Sequence, residues 1–404
     1  MLSDALKICL GAIEASLPKQ SVKSVLSELK MDGDIYLVAV GKAAFAMAEA
    51  ACELLAVQKG IVLSKYGHNT GSLPNIVCYE AGHPITDENG IQATQEIIKM
   101  CSDLKEDDNV LFLLSGGASA LFEEPLIPLK ELQDLNEQML RKGLDINEIN
   151  TIRKRLSKVK GGRFYQLCQP ARVYSLILSD VLGDRLDSIG SGPTVQDRST
   201  KEEALAIINK YGLEPSDQAF RIIKESENIT VDEKDVSIVG SVKLLAQKAS
   251  GIAQELGYVP ILLSDHIAME ARLAGDYLFE EIRKHQDQGK IALIMTGETV
   301  VHVKGHGLGG RNQELVLSQV EHLKGMENVL ILSLGSDGTD GPTDAAGAYA
   351  DGRTYERFIE KGIDCKRMLE ENDSYHAFEA IDALIRTGPT GTNVNDIMIA
   401  LIDG

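Results

Sequence analysis

IYLVAVGKAAFAMAEA (residues 35–50) decides the fold: six apolar residues, a glycine and a lysine, then a small-residue helix pattern. An unbroken apolar run has no polar face, so it reads as a strand buried on both sides of a parallel sheet. The same arrangement recurs. VLFLLS (110–115) runs into GGASA (116–120), and VYSLILSD (173–180) runs into VLGDRLDSIGSGPT (181–194). IALIMTG (291–297) leads, after a strand expected at 299–303, to KGHGLGGRNQE (304–314). VLILSLG (329–335) runs into SDGTDGPTDAAGA (336–348). Bare backbone N–H groups and helix N-termini collect at the carboxyl ends of such strands, where anions bind. One such turn is commonplace. This repetition, carrying Lys, Arg and several Asp, predicts a composite pocket for a phosphorylated ligand.

Working outward, strands and helices alternate, with helices expected at 43–56, 88–103, 129–142 and 145–158. Alternation of this kind predicts an α/β fold with a largely parallel sheet. The polar, acidic tract SENITVDEKD (226–235) could not hold a core together and marks a boundary. The expected domains are therefore 1–230 and 231–404. The second restarts the alternation with strands at 236–240 and 258–263, a hairpin over 291–303, a helix from 311, and strands at 329–334 and 396–402.

Composition narrows the function. The chain has 404 residues, 44% hydrophobic and 25% charged, which suits two or more globular domains with ample cores. A net charge of −19 argues against nucleic acid or an anionic membrane as partner. No run approaches the ~20 apolar residues of a membrane span. The start, MLSDALKICLGAIEASLP, reads as an amphipathic helix stopped by Pro18, not a signal peptide. The six cysteines are scattered without a C-x-x-C, as expected of free thiols in a reducing, cytoplasmic setting.

Several segments carry chemistry. Lys42 follows a strand and opens a helix, a place suited to phosphate or carboxylate, although the full P-loop pattern is not present. A plain surface lysine would show the same spacing. In SGGASA (115–120), Gly116 and Gly117 let a ligand approach the backbone, flanked by the hydroxyls of Ser115 and Ser119. The stretch NTIRKRLSKVKGGR (150–163) holds six cations and reads either as a solvated face or as an anion-steering patch. Asp180 ends a strand and Asp184 follows four residues on, where carboxylates could hold Mg²⁺. The tail Gly190, Ser191, Gly192, Pro193 and Thr194 could offer donors to phosphate. Gly305, Gly307 and Gly310 form G-x-G-x-x-G, but no acidic residue ends the next strand as a dinucleotide site requires. Arg311 is better suited to a bidentate contact with carboxylate or phosphate. Asp337, Asp340 and Asp344 fall close together, as metal ligands, a general base or a solvated turn would.

Taken together, VGKAAFAMA, AGHP-x-x-DEN, LLSGGASAL, NTIRKRLSKVKGGR, LSDVLGDRLDSIGSGPT, TGETVVHVKGHGLGGRNQELVL, GSDGTDGPTDAAGA and GPTGTNVND resemble the glycerate 2-kinase family, in order from about residue 30 to 402. The resemblance implies a Rossmann-like N-terminal kinase domain, a smaller mixed-sheet MOFRL domain and an active site in the cleft between them. It implies phosphorylation of D-glycerate at its 2-hydroxyl, with ATP and Mg²⁺. Lys42 and Arg311 match the family's active-site pair, so the expected catalytic set is Lys42, Arg311 and Asp180. Substrate contacts are expected from Lys42, Arg311 and the loop Ser115, Gly116, Gly117, Ala118 and Ser119. ATP contacts are expected from 190–194, Asp337 and Asp340, and metal contacts from Asp180 and Asp184. At Arg185 the family pattern carries a second Asp, which leaves those two. Partners are then small molecules alone, compatible with a homodimer. The rival reading is a nicotinamide-dependent hydroxypyruvate or tartronate-type reductase, which rests on G-x-G-x-x-G.

Overall fold

The computed structural model describes residues 1–179 and 183–404. The chain divides into two compact units, Pro18–Val239 and Met1–Leu17 with Gly240–Gly404. The expected border at 230/231 thus lies nine residues early. β6 (Val236–Gly240), expected to open the second domain, is instead an edge strand of the first sheet. The first helix also changes sides. Leu2–Glu14 packs on the helix Val242–Glu255 and on the last strand, with Ala5, Ile8, Cys9 and Ala12 fully buried. An apolar stripe goes wherever it finds an apolar face, and sequence proximity does not decide which.

The first sheet contains β1 (Ile35–Val40), β2 (Val57–Lys65), β3 (Ile76–Ala81), β4 (Asn109–Leu114), β5 (Arg172–Leu178) and β6, in the order β3-β2-β1-β4-β5-β6. Pairing from β3 through β5 is parallel. All six residues of β4 are buried, as an uninterrupted apolar run requires. Phe112, Phe122 and Phe164 stack there with ring centroids 5.1–5.9 Å apart. The chain builds outward from β1 to β3, then returns to place β4 on the other side of β1. The turns after β1 and β4 therefore leave the sheet in opposite directions and open a crevice between them.

The second sheet contains β7 (Val259–Ile267), β8 (Ile291–Gly297), β9 (Val329–Gly335), β10 (Gly347–Asp351), β11 (Leu384–Ile385) and β12 (Asp396–Ile402), in the order β11-β10-β9-β12-β8-β7. It is mixed: β7 and β8 are parallel, and β12 runs antiparallel to both β8 and β9. Met398, Ala400 and Ile402 share a core with Leu278, Leu315 and Val320 of the helices Ala271–His285 and Arg311–Leu323. Alternation turns Ile397, Ile399 and Leu401 the other way. Each such aliphatic side chain contributes about 1.5–3 kcal/mol by burial.

Two local expectations fail. Residues 299–303 form no strand; only Val300 bridges Glu270. The helix expected over 145–158 ends at Arg153 and gives way to a 3-10 turn, Lys154–Leu156. Its start was legible, because Asp145 and Glu148 form a reciprocal cap. Just past its end, Lys154 and Arg155 are buried in ion pairs.

Candidate functional site

The crevice between β1 and β4 is built from the two segments singled out in the sequence. Gly41 has φ +121°, and a Cβ there would collide with Ser115 Oγ. This glycine is what lets the two turns touch. The Lys42 amide donates to the Gly116 carbonyl at 2.9 Å, and the Ala43 amide donates to Ser115 Oγ at 3.1 Å. Ser115 is buried, so its hydroxyl ties the turns together and does not face outward. Lys42 is exposed and Gly116, Gly117 and Ser119 are half-buried, while Ala118 is buried. A Cβ on Gly117 (φ +90°) would lie 3.4 Å from Lys42 Cγ and 3.1 Å from the His83 ring. His68 Nδ1 lies 3.0 Å from the Lys42 carbonyl. Neither histidine was singled out in sequence. His83 sat in plain view within AGHP, but nothing local linked it to a glycine 34 positions on.

The segment expected to hold ATP lies beneath this loop. Ser191 Oγ is 3.1 Å from Ser119 Oγ and 3.0 Å from Asn150 Oδ1. Thr194 accepts a hydrogen bond from Ser175 at 2.8 Å, and the carbonyls of Ser191, Gly192 and Pro193 accept amides of residues 161–165. Ser191, Gly192, Pro193 and Thr194 are all buried, and Gly190 is the half-open member.

The cationic stretch is neither a solvated face nor a steering patch. Lys154, Arg155 and Lys160 are buried. Lys154 lies 3.2 Å from Asp197 and 3.3 Å from Asp187, and Arg155 lies 3.4 Å from Asp197. Beside this brace opens a cavity of about 580 Å³, lined by Asn150, Lys154, Arg185, Ser188, Arg198 and Ser199 among others.

In the other unit, Arg311 starts the helix Arg311–Leu323. Asp340 holds that helix start: its buried carboxylate accepts the backbone and side-chain amides of Asn312 and Gln313 at 2.9–3.2 Å. Arg311 is held by Asp396, a residue within the GPTGTNVND motif that carries no assigned role in the sequence. Its Nε and Nη2 donate to the two oxygens of Asp396 at 2.6 and 3.0 Å. Its Nη1 donates to Glu298 at 2.9 Å. Because β12 is antiparallel to its neighbours, its first residue, Asp396, lies level with Gly297 and Gly335, the last residues of β8 and β9. Topology thus delivers a carboxylate to the strands' carboxyl edge. Burial pushes the Asp396 carboxyl up to about 6, against the pull of Arg311. The inner Nε–Nη2 fork of Arg311, expected on a ligand, is spent on Asp396, and on the outer edge Nη1 pairs with the exposed Glu298.

The acids of 337–344 part company. Asp337 caps its own turn through Thr339, Asp340 serves the helix, and Asp344 pairs with Arg386 and Tyr375. Asp180 lies outside the described residues. Asp184 is half-buried, and its Oδ1 is a buried oxygen with no hydrogen bond among the described residues. Among those residues no group of three or more His, Cys, Asp or Glu is close enough to hold a metal. The G-x-G-x-x-G glycines serve packing: a Cβ on Gly305 or Gly307 would strike the backbone of Glu371 or Asp373. No described helix is long and apolar enough to cross a membrane, and Cys9, Cys101, Cys168 and Cys365 are buried free thiols.

Comparison with known proteins finds two family matches along the chain. Residues 4–224 match a domain of unknown function (DUF4147), and residues 291–396 match the MOFRL family. A D-glycerate 2-kinase of Thermotoga maritima is 46% identical over 98% of this chain and 97% of its own. The chain belongs to the glycerate kinase family. The crystal structure of the Thermotoga maritima glycerate kinase matches with a TM-score of 0.94, covering 99% of each chain. A glycerate 2-kinase of Pyrococcus horikoshii is 38% identical, over 99% of this chain and 94% of its own. A putative hydroxypyruvate reductase of Agrobacterium vitis is also 38% identical, over 92% and 100%. In this chain, GGRNQE and TNVND are joined by the Arg311–Asp396 pair, two motifs whose spacing in sequence hid their contact.

Proposed function

We infer that this protein phosphorylates D-glycerate at its 2-hydroxyl, with ATP as donor, giving 2-phosphoglycerate and ADP. One observation carries the reading: an exposed lysine beside a glycine-rich turn at the switch point of a parallel sheet, in a chain similar end to end to glycerate 2-kinases. The hydroxyl oxygen attacks the γ-phosphorus, the bond to the ADP oxygen breaks, and the hydroxyl proton is released to water. Such a transfer asks chiefly for positioning and charge neutralisation. Lys42 supplies a mobile positive charge for the transferred group. Arg311, fixed by Asp396, offers its outer edge to a carboxylate or phosphate, with Glu298 as the partner it gives up.

Mg²⁺ belongs to this reading. It typically takes one or two carboxylates plus substrate phosphates, and Asp184, with a buried oxygen that has no hydrogen bond among the described residues, is suited to be one. When bound, it would neutralise phosphate charge. For ATP, Gly190 and Asp337 are the half-buried members of the expected set; separately, the cavity of about 580 Å³ lined in part by Ser188 has the size of a small-ligand site. The reductase reading is the weaker one, since the glycine motif that favoured it is committed to internal packing. We place the enzyme in the cytoplasm.

The test is a single incubation with D-glycerate, ATP and Mg²⁺, followed by phosphorus NMR. Formation of 2-phosphoglycerate with equal ADP is expected. Oxidation of NADH by hydroxypyruvate, without ADP formation, would replace this reading with the reductase.

A further inference from the structure

Glu123, Arg153 and Lys160 bury three charges directly under the glycine-rich loop. Glu123 and Lys160 are fully buried, and the Arg153 side chain is 12% exposed. Lys160 Nζ donates to the carbonyls of Ser119 and Phe122, each at 2.9 Å. Arg153 Nη2 donates to the same Ser119 carbonyl at 2.7 Å. Glu123 lies 3.5 Å from Lys160 and 3.7 Å from Arg153, with neither oxygen hydrogen-bonded among the described residues. It balances charge without fixing geometry.

Stability alone does not account for this cluster. Removing ions from water costs several kcal/mol each, and apolar replacements of buried ion pairs are often neutral or stabilising. What the cluster does achieve is directional. Two cations converge on one carbonyl, at the loop whose Gly116 carbonyl accepts the Lys42 amide and whose Gly117 leaves room beside Lys42 Cγ that an added Cβ would fill to 3.4 Å. Fixing Ser119 from below fixes where the loop and Lys42 stand.

We propose that Glu123, Arg153 and Lys160 form a buried charge clamp that sets the geometry of the 115–119 loop, making Arg153 and Lys160 positioning residues for the reaction. The proposal rests on the kinase reading above. The charged groups facing Lys160 are Glu123 and Arg153, and burial pushes its ammonium down to about 8, so the clamp weakens as pH rises through that value.

The experiment compares wild type with Lys160→Met, Lys160→Arg and Arg153→Met. A loop displaced by about 1 Å costs up to ~10²-fold in rate, so Lys160→Met should lower kcat 10- to 100-fold with a smaller change in KM. Wild type should lose activity above pH 8. Lys160→Arg, which cannot lose its proton in this range, should keep kcat at pH 7 and abolish that alkaline limb. Hydrogen exchange over residues 115–122 gives a readout independent of chemistry: Lys160→Met should speed it at least tenfold while β1 is unchanged. If Lys160→Met does not fold, Arg153→Met, at the cluster's open edge, is read the same way. Unchanged exchange together with unchanged kcat would overturn the clamp, as would an alkaline limb that survives in Lys160→Arg. A wild type inactive on glycerate, yet with faster loop exchange in Lys160→Met, would overturn the kinase reading and leave the clamp standing.

Discussion

Lys42 and Arg311 are held in opposite ways. Lys42 stands exposed after β1, and no ion pair among the described residues involves it. Its position is fixed only through its backbone. Arg311 is gripped by the two oxygens of a fully buried carboxylate and touched by a third from Glu298. A lysine is a compact charge on a flexible stem that can follow a group as it moves. An arginine locked in a fork presents a plane that is already oriented. One cation is thus free to move and the other is fixed in direction, so the two should respond differently to substitution.

The largest effect is expected at Arg311. Arg311→Met strands Asp396 in the interior, and breaking a buried pair in this way costs about 3–5 kcal/mol. Thermal unfolding should drop visibly and activity should vanish. Arg311→Lys should stay folded yet lose at least ~10²-fold in kcat/KM, because a point charge cannot hold the fork. Full activity in Arg311→Lys would show that a diffuse charge suffices at this position and that Arg311 is held no more strictly than Lys42.

At Lys42 the loss should be catalytic alone. Lys42→Ala is expected to lower kcat/KM by about 10²-fold or more through lost charge stabilisation. Its stability should stay within about 0.5 kcal/mol, as for other surface changes. A large drop in melting temperature would mean that Lys42 supports the fold after all.

A third prediction uses acid. The Asp396 carboxyl titrates near 6, so lowering pH through that value protonates it and releases the grip on Arg311. kcat/KM should fall on that acid limb, and Asp396→Asn should show a lower but flatter profile. An acid limb of the same midpoint in Asp396→Asn would assign it to another group.

The smallest effect is expected at Glu298, which is half exposed in its pair with Arg311. Exposed pairs are worth about 0–1 kcal/mol, so Glu298→Gln should lower KM for glycerate by at most ~5-fold with kcat retained. A raised KM would show that Glu298 helps to hold the substrate and is not merely displaced by it.

What the sequence determined by itself was local: apolar runs as strands, glycines as the turns after them, Lys42 at one turn and Arg311 at a helix start. These follow from period, composition and backbone freedom within a dozen residues, and they were enough to predict an α/β fold with a parallel first sheet. Tertiary structure alone decided who partners whom. Lys160 reads as one more cation in a basic run until Glu123, 37 positions earlier, buries it. Arg311 reads as free until an antiparallel strand brings in Asp396, 85 positions later. The first helix joins the far unit because its apolar stripe fits there. Burial of charge and choice of packing face depend on contacts between segments distant in sequence, and no window along the chain contains both sides of such a contact.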